Sequence, residues 1–148
     1  MDALSAYRAD GSLLFVPFFL LLLAEAFGMT RNPRAALEQL NEAVNLVTNT
    51  KERWCEAELH RVKGEFSKST NNLESAQTCF SEAIVVARRQ NARFFELRAA
   101  MSMARLWRDQ GKPQQAHELL APVYAWFTEG FDTLDLKEAK ALLDALSS

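Results

Sequence analysis

The sequence predicts an all-α fold, an antiparallel helix-hairpin array wound as an α/α superhelix, with a period of about 40 residues and a C-terminal capping helix. Three observations predict it. Residues 64–83, GEFSKSTNNLESAQTCFSEA, meet a copy of themselves when shifted by about 40 residues in either direction. Under that shift Ala76 matches Ala36 and Ala116, and Phe80 matches Leu40 and Leu120. Ala83 then falls on Ala43 and Val123, Gly64 on Ala24 and Ala104, Pro33 on Pro113, Asn32 on Asn72, and Phe27 on Trp107. Composition is the second observation: only five Gly and four Pro stand among 148 residues otherwise rich in Ala, Leu, Glu, Arg and Gln, which favours helix over sheet. Third, helix stop-and-start signals recur at Asn32-Pro33, Asn71-Asn72 and Gly111-Lys112-Pro113, where a cap residue or a first-turn proline opens the next helix.

Residues 1–9 belong to this register, since Asp2-Ala3 aligns with Glu42-Ala43 and Glu82-Ala83. The chain is therefore expected to begin midway through a preceding repeat, as a piece of a longer array. After Asp10-Gly11-Ser12 comes the most apolar run, Leu13 to Ala24. It is shorter than the roughly 20 apolar residues a membrane span needs. A signal-peptide reading is opposed by one Arg against two Asp ahead of it. A first hairpin helix fits best, with Pro17 in its first turn and Ala24 and Phe27 in repeat register. A helix apolar on nearly every side must be covered on every side. With little chain before it, Phe15, Phe18, Phe19 and Leu21 form a candidate apolar docking surface for a protein partner, an upstream domain or a second copy.

Further helices are expected over Pro33 to Thr48, Lys51 to Ser69 and from Asn72 to about Gln90. Ala92 to Gln110 is the next, closed by Gly111. Pro113 to Thr128 follows, bent at Pro122. Glu129-Gly130 turns the chain into a helix from Leu134 to Leu146 with Thr133 as N-cap. That helix has one apolar stripe (Leu136, Ala139, Leu142, Leu143, Leu146) and a polar outer face, as an array cap should. A single domain over 1–148 results, with hairpins at 13–50, 53–90 and 93–130 and a cap at 134–147.

Small residues let two helix backbones approach while a large neighbour fills the space beside them. Ala104-x-x-Trp107-x-x-x-Gly111 followed by Ala116-x-x-x-Leu120 resembles the tetratricopeptide repeat, with Ser67 standing where that pattern expects an aromatic. The usual repeat is about 34 residues, so each copy here carries longer helices or turns. Residues 126–133, WFTEGFDT, and 135–140, DLKEAK, are similar to the closing segment of the helical-repeat tail of bacterial signalling proteins. Those proteins join a class III adenylate or guanylate cyclase domain and a predicted ATPase domain to a tetratricopeptide-like tail. Pro17-Phe18-Phe19 and the segment Leu23 to Phe27 resemble an earlier part of the same tails. The resemblance implies a cytoplasmic signalling context, and because it covers only the tail it transfers no cyclase or ATPase activity.

The residues make no catalytic constellation. No phosphate-cradling GxxxxGK[ST] and no GxGxxG after a strand is present. His60 and His117 stand far apart without zinc-ligand spacing, so neither metal nor cofactor is expected. A net charge of −2 supplies no basic excess for nucleic acid. Cys55 and Cys79 are offset by about 10 Å in an antiparallel hairpin turning near residue 70, beyond disulfide reach, so two reduced buried thiols are expected.

What remains is a surface. If the first helix of each hairpin lines the concave side, Arg61, Lys68, Arg98, Arg105 and Arg108 project into a candidate partner groove, with Glu58, Glu65 and Asp109 between them. They form either Arg forks for an acidic peptide or carboxylate or ordinary i,i+4 pairs, Arg61 with Glu65 and Arg105 with Asp109, on a solvated face. The expected function is a non-catalytic protein-interaction or regulatory module, with no nucleic acid and no membrane. The alternatives are a C-terminal fragment of a cyclase or ATPase signalling enzyme, or a protein that dimerises through its apolar N-terminal helix.

Overall fold

The structure is a computed structural model that describes residues 31–50 and 53–148, together with Leu22, Ala26 and Met29. Phe15, Phe18, Phe19 and Leu21, and with them the expected apolar docking surface and dimer contact, lie outside the described residues, as do residues 1–9, Pro17, Ala24 and Phe27. Six helices whose bounds lie among the described residues follow in order: α1 (Pro33–Thr50), α2 (Glu56–Ser69), α3 (Leu73–Arg89), α4 (Arg93–Asp109), α5 (Pro113–Ala125) and α6 (Leu134–Leu146). No strand occurs among the described residues. Each helix packs on the next, so α2 with α3 and α4 with α5 are antiparallel hairpins. In addition α2 packs on α4 and α4 on α6, whereas the backbones of α1, α3 and α5 do not come close to one another. An array whose alternate helices meet on one side only curves toward that side, and α2, α4 and α6 therefore line the inner face.

The 40-residue register is written into backbone dihedrals. Arg31, Asn71 and Gly111 have φ of 62°, 61° and 76°, left-handed values that reverse the chain just before α1, α3 and α5. At the latter two, and at Asn91 between hairpins (φ 56°), the following N–H reaches five residues back. These bonds run from Asn72 to Ser67, Ala92 to Ala87 and Lys112 to Trp107, each at 2.8 Å. The same helix-closing motif thus serves within hairpins and between them, which keeps the turns short. Asn32 and Asn72 cap α1 and α3, their Oδ1 atoms accepting from the N–H groups of Ala35 and Ser75 at 3.2 Å. At the third copy Pro113 opens α5 without a side-chain cap.

Two boundaries and one cap differ from expectation, each because of a specific contact. Helix α2 begins at Glu56 rather than Lys51. The Arg53 carbonyl is taken by the Glu56 N–H at 3.1 Å and by Gln90 Nε2 at 2.7 Å, which fixes a turn there. Helix α5 stops at Ala125 rather than Thr128, because Phe127 folds back into the core, its ring 5.0 Å from that of Phe94. Thr133 precedes α6 in extended geometry without capping it by its side chain. Its hydroxyl donates to the Gly130 carbonyl at 2.7 Å instead, closing the turn behind it.

Packing follows the repeat. Ala36, Leu40, Ala43 and Val47 of α1 bury against Leu59 and Val62 of α2. In the next layer Ala76, Phe80, Ala83 and Ile84 of α3 meet Ala99, Met103 and Leu106 of α4. Ala116, Leu120 and Val123 then join Leu97, Met101 and Ala104, and Leu136, Ala139, Leu142 and Leu146 of α6 close this last cluster. Lys137, Lys140, Ala141 and Asp144 of α6 are exposed on the side away from this cluster. Gly64 marks the tightest approach of α2 to α3. A Cβ there would stand 2.5 Å from the Phe80 ring and 3.2 Å from the Ala76 carbonyl.

Candidate functional site

Parallel stacking of α2, α4 and α6 sets equivalent residues of successive copies side by side on the inner face. Arg61, Arg98 and Arg105 surround a hollow of about 140 Å³ completed by Met101, Ser102, Asp135 and Glu138. Lys68 and Arg108 do not line it. They lie near the C-terminal ends of α2 and α4, where Lys68 Nζ is 3.7 Å from Asp109 and Arg108 is 3.1 Å from the same carboxylate.

The arginines of the hollow are held by carboxylates, Arg61 by those of its own helix and Arg98 and Arg105 by those of neighbouring helices. Glu58, buried, accepts from Arg61 Nε at 3.0 Å and Nη2 at 2.7 Å, while Arg98 Nη1 approaches it at 2.6 Å from the neighbouring helix. Arg98 also stands 4.0 Å from Asp135, and Arg105 is 3.3 Å from Glu138, both on α6. Arg61 keeps a longer 3.8 Å contact along its own helix to Glu65, whose other role is to accept from the buried Ser102 hydroxyl at 2.7 Å. Arg105 therefore pairs across helices with Glu138, and Asp109 takes Lys68 and Arg108. Three guanidinium groups thus face four carboxylates, Glu58, Glu65, Asp135 and Glu138. A ligand for this hollow must bring both signs of charge or exchange one of these pairs.

Ser102, Asp135 and Glu138 belong to the site although their sequence surroundings mark them only as solvated or capping residues. The register held a signal for part of it. Glu58, Arg98 and Glu138 occupy one repeat position and alternate in sign, and Glu65 and Arg105 do so at another, which is the pattern stacked parallel helices need to neutralise their shared face.

A second polar cluster sits between α2 and α3 on the other side of the layer. His60 Nδ1 is 3.2 Å from Glu82 Oε2, yet the pair lacks hydrogen-bond alignment. Burial holds the His60 pKa below its ordinary value, against the opposing pull of Glu82 and Glu56. Beside it a hollow of about 430 Å³ is lined by Lys63, Asn72, Glu74, Ser75, Thr78, Cys79 and Glu82. Burial pushes the Cys79 thiol up, away from the reactive thiolate. Both cysteines are buried, and neither forms a disulfide. Among the described residues no group of three His, Cys, Asp or Glu side chains is placed to hold a metal ion, and no described helix is long and apolar enough to cross a membrane.

No protein-family model matches this chain, and a search of curated proteins returns no match.

Proposed function

We propose that this chain is a non-catalytic protein-interaction module whose inner face receives a segment of another protein. The observation that carries the reading is the convergence of α2, α4 and α6 on one hollow in which Arg98 and Arg105 keep about a third of their side chains in water. Guanidinium groups held in place by carboxylates on a rigid face lose little freedom when they take a bidentate partner. The resemblance of residues 126–140 to the repeat tails of cyclase and ATPase signalling proteins supports a regulatory setting. Two buried cysteines that form no disulfide support a reducing compartment.

The test separates recognition from stability. Charge reversal at Arg98 is unsuitable, because it would set a carboxylate against buried Glu58. Arg105 pairs with exposed Glu138, so Arg105→Gln removes the fork and leaves the core untouched. Peptides selected from a random library on the immobilised chain should lose about tenfold in affinity for R105Q, with an unchanged melting temperature. Failure to select any peptide whose affinity R105Q lowers would place recognition off the inner face.

A further inference from the structure

Large apolar side chains ordinarily scatter over a surface, but here three recur in register along one edge of the array. Trp54, Phe94 and Leu134 are 42%, 46% and 71% exposed and occupy the same repeat position. Each stands at the start of an inner helix, α2, α4 or α6. Because these helices are parallel and packed in sequence, the three side chains emerge on the same edge. Trp126 and Phe131, both about half exposed, widen the apolar strip between Phe94 and Leu134. Ring contacts hold them: Phe127 takes Phe94 at 5.0 Å and Trp126 at 5.3 Å, and separately Tyr124 takes Phe131 at 5.9 Å. The Arg93 guanidinium lies 4.8 Å above the Trp126 ring.

The charge along this edge is lopsided. Arg53, Arg88, Arg89 and Arg93 flank Trp54 and Phe94 and, among the described residues, approach two carboxylates. Arg53 and Arg89 approach Glu56 at 3.9 and 3.3 Å, and Arg88 and Arg93 approach Glu96 at 2.7 and 3.3 Å. Both carboxylates are largely buried, whereas the four arginine side chains are between 37% and 56% exposed. Among the described residues this half of the edge carries two positive charges in excess. Around Leu134 the sign reverses, with Glu129 and Asp132 exposed.

We infer that this edge docks an amphipathic helix of another protein whose acidic residues are confined to the half lying over Trp54 and Phe94. Packed helices stand about 8–10 Å apart, which sets the step between successive anchors. Two turns of an α-helix advance about 10.5 Å, so large apolar residues spaced by about seven positions on one stripe meet Trp54, Phe94 and Leu134 in turn. Acidic side chains flanking the first two anchors offset the unshared arginines. At the third, Glu129 and Asp132 repel acid and favour neutral or basic residues. The site lies on a different face from the Arg98–Arg105 hollow and is independent of it.

Peptide selection on the immobilised whole chain tests the edge through a double variant, Arg89→Gln with Leu134→Ser. Both side chains are mostly exposed, so far-ultraviolet dichroism and the melting temperature should match wild type. Among sequences that bind wild type but not the double variant, the expected pattern is large apolar residues at heptad spacing with Asp and Glu in one half only. Affinity should fall about tenfold for each single change. The proposal is overturned if selected sequences bind the double variant equally, if they are basic throughout, or if their apolar residues alternate as in an extended strand. It is also overturned if the two changes instead abolish binding to anionic vesicles or to single-stranded DNA, or self-association in a concentration series.

Discussion

Gly64→Ala should destabilise the protein, although alanine is the better helix former. The added Cβ would meet Phe80 Cε1 at 2.5 Å and Cδ1 at 2.6 Å. These are ring atoms of a side chain with no solvent exposure, so neither can swing away as the end of a flexible chain would. Overpacking of this kind costs about 1–3 kcal/mol. Helix propensity returns about 1 kcal/mol. At the middle of that range, a cost of about 2 kcal/mol, the net loss is about 1 kcal/mol, or about 2–4 °C in melting temperature for a chain of this size. The repeat itself supplies the compensation, because Ala104 and Leu120 hold the positions equivalent to Gly64 and Phe80 in the next hairpin and share one core cluster. Phe80→Leu alone leaves space beside Gly64, whereas Gly64→Ala with Phe80→Leu recreates the Ala–Leu pair. Urea unfolding of the four proteins in a double-mutant cycle should give a favourable coupling of about 1 kcal/mol or more. A Gly64→Ala protein as stable as wild type, or strictly additive changes, would refute the claim that small-against-large pairing sets the approach of the helices.

Arg98→Gln removes one of the two arginines on buried Glu58 and should lower stability by about 1–3 kcal/mol in the same urea assay, while Arg105→Gln changes it by less than about 0.5. Arg31→Gly relieves a non-glycine residue at φ 62° and should raise stability by about 1 kcal/mol, whereas Gly111→Ala, at φ 76° with open space around it, should lower it by a similar amount through backbone strain alone. His60 titrates below its ordinary 6.5 in the folded protein because burial favours the neutral ring. The unfolded chain therefore binds more protons below that value, so the stability due to this group is present above 6.5 and is lost as the pH falls through the folded pKa. His60→Gln should remove that part of the acid sensitivity, seen as a smaller shift of the urea midpoint between about pH 7.5 and pH 5.5.

Helix class, hairpin order and core positions are legible in the residues because each is a one-dimensional property. The spacing of Ala36, Ala76 and Ala116, and of Leu40, Phe80 and Leu120, shows which face each helix buries, and all six are fully buried. The apolar stripe of residues 134–146 marks a cap by the same logic, since a helix with one apolar face has one neighbour layer. Asn32 and Asn72 announce themselves as caps because the capping bond is made within three residues.

Boundaries were less legible where a distant group decided them. Gln90 pins Arg53 and Phe94 draws in Phe127, and neither contact is local in sequence. The inner-face arginines were identifiable by position, but their partners were not, because i,i+4 spacing offered Asp109 to Arg105 while the stacked helix α6 offered Glu138 at 3.3 Å. Likewise each of Trp54, Phe94 and Leu134 is an unremarkable apolar residue at a helix start. The sequence alone determines the repeat, the helices and the residues that must be buried, since hydrophobic periodicity and cap chemistry act along the chain. Only the tertiary structure decides which charges meet and which apolar side chains line up on one edge, because both depend on the parallel stacking of α2, α4 and α6, where neighbours in space stand about 40 residues apart in the chain.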